Sequence, residues 1–156
     1  MKRLLIPLAL CVLLSSCVIS KPKMLKSMSH YPHTEAVRIP AFTMKLASLL
    51  SDDDDDEYVG KVKTVEVVTF EDGEFQPEVE EEFEKLAGRK SMDLLVETRD
   101  SLESVDIYVK TNRKGDVIKE MLIKSTEPDE SNIVYLKGRF SMEEVLETNP
   151  KKLTKF

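Results

Sequence analysis

Apolar residues follow three rhythms along this chain. Over residues 4–14 they are almost continuous. Phe42, Leu46, Leu49 and Leu50 recur at the spacing of one helix face, and so do Phe75, Val79, Phe83 and Leu86. Elsewhere they crowd or alternate as in strands. Residues 35–39 read as a short edge strand ending at Pro40, which then suits the first turn of a helix. Residues 62–70 are rich in Val and Thr and apolar on both sides, the pattern of a central strand. Pro77, the acids that follow it, and Gly88 bracket the second helix. Met92, Leu94 and Val96 alternate, as do Val105, Ile107 and Val109. Residues 112–116 hold Gly115 and predict a hairpin turn. Residues 117–124 and 133–140 predict two more strands around a turn at Pro128, and Ser141-Met142-Glu143-Glu144 forms a capping box opening a last short helix.

This order predicts an α+β fold. A βαβ start followed by a β-meander would make a mixed, mostly antiparallel sheet of five or six strands. Two or three helices would lie mainly on one face. The domain is expected over residues 35–150, with a tail at 151–156.

The first apolar run has a different meaning. It follows Lys2 and Arg3 and is too short to cross a bilayer, but it has the length of a secretory signal core. Leu14-Ser15-Ser16-Cys17 comes next, and small residues before a cysteine resemble a bacterial lipobox. That resemblance implies removal of residues 1–16, a diacylglyceryl thioether on Cys17 and acylation of the new amino terminus. The alternative is an ordinary signal peptide cut nearby. Cys11 would be lost with the signal, so the mature domain would have neither a thiol nor a disulfide.

Charge divides the rest. The chain carries 23 basic and 29 acidic residues, a net of −6 with a pI near 5.1, which argues against a nucleic-acid partner. Lys21, Lys23 and Lys26 are unopposed by any acid before Glu35; from Glu35 onward 18 basic residues face 29 acidic ones, a net of −11. Residues 17–34, with two prolines and scattered serines, therefore read as a lipidated cysteine on a flexible basic tether reaching on the order of 20–25 Å. No Asp follows Cys17, and acids typical of surface export are absent, so the outer membrane, facing the periplasm, is the expected location.

The candidate chemistry is sparse. His30 and His33 fall on the tether, which supplies no fixed metal shell, and no His follows them. Residues 52–56 are five contiguous Asp without the alternate spacing of a calcium loop, and read as a solvated loop. Glu66, Asp93, Glu97 and Asp106 lie on strands and are expected to face water opposite lysines. No glycine-rich phosphate loop occurs. No catalytic residue, cofactor or metal ligand is assigned. What stands out is apolar: Val65, Val67, Tyr108, Ile133 and Tyr135 would share the sheet face away from the helices. That face would bind a protein partner or a second copy of the chain, be covered by Leu153 and Phe156 of the tail, or be an ordinary core face. The competing class is a small-ligand carrier or an enzyme using carboxylates.

Several stretches, in this order behind the lipobox, resemble a known family. They are Val37-Arg38-Ile39-Pro40 with Phe42, Lys63-Thr64-Val65-Glu66-Val67-Val68-Thr69-Phe70, and Met92-Asp93-Leu94-Leu95-Val96-Glu97. Val105-Asp106-Ile107-Tyr108-Val109-Lys110, Val117-Ile118-Lys119-Glu120-Met121-Leu122-Ile123, and residues 133–140 with Gly138 complete the set. Together they are similar to the small lipoproteins, mostly from Bacteroidota, grouped as domain of unknown function 4252. The resemblance covers residues 37–146. It implies an α+β envelope lipoprotein and carries no catalytic residues.

Acyl chains contribute about 0.8 kcal/mol per buried CH₂, so the anchor depends on Cys17. Cys17→Ala is expected to abolish labelling by a fatty-acid analogue and release the protein from the membrane fraction; persistent labelling contradicts the lipobox reading.

Overall fold

The structure is a computed structural model and describes residues 20–40, 61–71, 73, 75–100 and 102–147. The signal segment, Cys17, the helix expected after Pro40, the acidic run at 52–57 and the tail at 151–156 lie outside the described residues.

Six strands form one sheet: β1 (Thr34–Pro40), β2 (Val62–Phe70), β3 (Asp93–Arg99), β4 (Ser104–Thr111), β5 (Val117–Thr126) and β6 (Ser131–Ser141). Their order across the sheet is β1-β2-β6-β5-β4-β3, and every neighbouring pair is antiparallel. This corrects the expected βαβ start. β1 lies antiparallel against β2, from Thr34 opposite Phe70 to Pro40 opposite Thr64. Alternation of side chains fixes which face a residue takes but not which way its strand runs. Pro40 is tolerated because β1 is an edge strand. The crossover sits one element later. From β2 the chain runs through α1 (Pro77–Lys90) to β3 at the opposite edge, and the meander β3-β4-β5-β6 returns it to β2. The fold is therefore an antiparallel, β-rich sheet of six strands with two short α-helices among the described residues, α1 and α2 (Met142–Glu147).

α1 begins with Pro77 in its first turn and lays Val79, Phe83, Leu86 and Ala87 on one sheet face. Its end is later than Gly88. Ser91 takes the left-handed conformation (φ 52°), and the N–H groups of Ser91 and Met92 donate to the carbonyls of Gly88 and Ala87, closing the last turn. Beneath α1 lie Val68, Phe70, Leu122, Ile133 and Tyr135. The opposite face gathers Val65, Ile107, Met121, Ile123, Val134 and Leu136, and there Val145 and Met142 of α2 pack. The helices are thus divided between the faces. Gly138 has no room for a side chain: a Cβ there would meet the Lys61 carbonyl oxygen at 2.5 Å.

Residues 20–34, expected to be a flexible tether, belong to the folded body. Ser20 bridges to Arg38 on the outer side of β1, and Met28–His30 form a 3₁₀ turn. Leu25 and Met28 are fully buried, in one cluster with Val79 and Phe83, and Tyr31 packs against it. Leu25 before the single 3₁₀ turn, Met28 at its start and Tyr31 just after it all turn toward the sheet side.

The capping box is present as expected: the Ser141 hydroxyl accepts from the Glu144 N–H, and the Glu144 carboxylate accepts from the Ser141 N–H. Lys61 pairs with the same carboxylate. The Lys61 contact, followed by the Ser141 N–H, pulls the Glu144 carboxyl from its ordinary 4.5 down to about 2. A carboxyl depressed by folding stabilises fully above its ordinary value and loses that contribution as the pH falls toward the folded one. Urea unfolding between pH 4.5 and about 2 should therefore show a shallower loss of stability in Glu144→Gln than in the wild type; identical slopes contradict the assignment.

Candidate functional site

Glu66 stands in the middle of β2, between Arg38 of β1 and Tyr135 of β6 in the register. A carboxylate among valines is costly to bury unless fixed donors replace its water. Here the segment crossing the sheet supplies them. The N–H groups of Lys23, Met24 and Leu25 donate to one carboxylate oxygen, Oε2, at 3.0, 2.7 and 3.0 Å. Three consecutive N–H groups form a concave anion nest. The other oxygen, Oε1, lies 3.1 Å from Arg38 Nε, an ion-pair contact whose angle falls short of a hydrogen bond. Glu66 is 1% exposed, so the expectation that it faces water is corrected. Both oxygens are engaged, which suits a fixed anchor more than a general base.

Two further polar clusters share this face. Tyr135 donates its hydroxyl to Glu120 at 2.6 Å, and Lys90 pairs with Glu120 while lying 5.1 Å over the Tyr135 ring. Burial alone would raise the Glu120 carboxyl, but the bonds from Lys90 and Tyr135 outweigh it and hold it below its ordinary value. Burial, then Glu120, push the Tyr135 hydroxyl far above its own. Asp106 is buried too, contrary to expectation. Arg99 grips both of its oxygens and Lys124 approaches at 3.2 Å, and the bond to Asp106 raises the Arg99 guanidinium. Asp93 and Glu97 are exposed.

The five apolar residues expected on one binding face do not share one. Val65 and Val67 point to the α2 side, opposite Leu136 and Val134; Ile133 and Tyr135 lie beneath α1, opposite Val68 and Glu66, and Tyr108 packs there beside Phe83. Val65, Ile133 and Tyr135 are buried, while Val67 and Tyr108 are half-buried. The phases of β2 and β6 were one residue out of step with a shared face, and a one-residue slip moves every side chain to the other side.

The concavity on this surface lies between residues 23–30 and the last turns of α1. It has a volume of about 540 Å³. Lys23, Lys26, His30, Arg89 and Lys90 line it, with Glu82 the acid among them. His33 is outside it, in an exposed turn with φ 55°. Glu82 has Lys85 at 3.8 Å and Lys90 has Glu120; Lys23, Lys26 and Arg89 have no ion-pair partner among the described residues. Composition pointed to an acidic body, and the sequence offered no sign that Arg89, from the second helix, would meet the early lysines. A family model for a domain of unknown function, DUF4252, matches residues 24–148.

The chain belongs to the DUF4252 family. No curated protein and no solved structure matches it. The DUF4252 match begins inside the Glu66 nest, at Met24, so it takes in residues 24–34 of the segment first read as tether, with Lys26 of the basic cleft.

Proposed function

We propose that this DUF4252 protein is a lipid-anchored lipoprotein of the cell envelope that holds a protein partner at the membrane and performs no catalysis. The observation carrying the reading is the seating of residues 23–25 on Glu66. The chain is seated on the sheet six residues after Cys17, so a lipid anchor there would hold the domain within about 20 Å of the membrane attachment point. The residues around Cys17 favour the outer membrane, facing the periplasm, and a role in envelope maintenance or signalling. Glu66, Asp106 and Glu120 are each held by cations or N–H groups, which favours structural carboxylates over proton transfer.

With the five apolar candidates absorbed into packing, the outer edge of the sheet is the better docking surface. Among the described residues β3 pairs only with β4. Beside that edge Leu94 is 47% and Leu102 69% exposed. An extended segment from a partner, or from a second copy of the chain, would add a strand there, with main-chain hydrogen bonds giving affinity and Leu94 giving selectivity.

A photo-crosslinking residue at Leu94, in intact envelopes, is expected to give one adduct of discrete mass, with none from the same group at Arg113 in the β4–β5 turn. Equal adducts at both positions, or none at either, contradict the reading.

A further inference from the structure

We propose that the cleft between residues 23–30 and the end of α1 binds the phosphate of anionic lipid headgroups and seats the domain on the bilayer. This rests on the reading of Cys17 as a lipid anchor.

Three observations carry it. The first is charge. From Glu35 onward the chain has a net charge of −11, which an anionic surface repels. Against that background Lys23, Lys26 and Arg89 converge on one concavity, exposed and with no ion-pair partner among the described residues. Lys90 lines the same wall, its charge shared with Glu120, and Glu82 is partly offset by Lys85. A cluster of cations at a cleft focuses the local field even on an acidic protein.

The second is place. Lys23 is the sixth residue after Cys17, a span of at most about 20 Å when fully extended. The nest on Glu66 fixes Lys23, Met24 and Leu25 on the sheet, so the cleft stays close to the anchored end. Tethering makes the second contact intramolecular, and weak phosphate contacts then suffice.

The third is the character of the rim. Met24 is 39% exposed between Lys23 and the buried Leu25. Lysines around an exposed apolar side chain match the boundary between headgroups and acyl chains. A long soluble polyanion lacks that apolar layer and would run on over the acidic remainder of the body.

The test uses the full lipidated protein in two kinds of vesicle, pure phosphatidylcholine and an equimolar mixture with phosphatidylglycerol. Acetylation of Lys23 and Lys26 is read by mass spectrometry against Lys114, exposed on the β4–β5 turn. Labelling at Lys23 and Lys26 is expected to fall about fivefold in the anionic vesicles, with Lys114 unchanged. High salt should reverse the protection, and Arg89→Glu should abolish it without changing the melting temperature. Equal labelling in the two vesicles overturns the proposal. Protection by glycerol phosphate in phosphatidylcholine vesicles alone overturns it in favour of a soluble anion. The mass of the amino-terminal peptide reports lipidation separately. If the acyl mass is missing, the anchor reading fails, and co-sedimentation of the same protein with the two vesicles decides the cleft: preference for the anionic ones supports it and equal recovery overturns it.

Discussion

Glu66 lies 1% exposed in the middle of β2, one strand in from the β1 edge, where an ionised carboxylate costs several kcal/mol unless fixed donors replace its water. The three N–H groups that do so belong to residues 41 to 43 positions earlier in the chain. The arrangement works in both directions. The carboxylate is stable in an apolar setting only while the early segment is seated, and the segment's consecutive N–H groups, which no regular ladder satisfies, find their acceptor only on Glu66. Arg38, opposite in β1, balances the charge. Removing one member of such a set strands the others, which costs about 3–5 kcal/mol in comparable buried pairs.

Much of the architecture hangs on that seat. With residues 23–25 fixed, Leu25 and Met28 drop into the cluster beneath α1 and cover sheet surface that α1 leaves bare. The same seating builds the basic cleft, because Lys23 and Lys26 form one wall and Arg89 and Lys90 the other. A structural carboxylate thereby sets the position of a positive surface on a negative domain. The β3 edge, proposed for strand addition, lies at the far side of the sheet from β1.

Local patterns foretold local structure. The run Phe75, Val79, Phe83, Leu86 located α1, the alternation at Val105, Ile107 and Val109 located β4 and its buried face, and Ser141 with Glu144 formed the cap their spacing implied. The misses share one cause. The direction of β1, the burial of Glu66 and Asp106, the folding of residues 20–34 and the split of the five apolar candidates all depend on contacts distant in sequence. A lone acid flanked by Val65, Val67 and Val68 was the visible trace of the nest, and the triplet spacing of Leu25, Met28 and Tyr31 the trace of the segment that fills it. Neither pattern names its partner. At the end of α1 the expected glycine signal misled because Ser91 itself adopts the left-handed turn.

Hydrogen exchange at the amides of Lys23, Met24 and Leu25 tests the nest most directly, comparing the wild type with Glu66→Gln. The account predicts slow exchange at all three in the wild type. In the variant they should exchange at least roughly a hundredfold faster, with far smaller changes at Leu136 in the middle of β6. Fast exchange of the three amides in the wild type, or equal protection in both proteins, would contradict it.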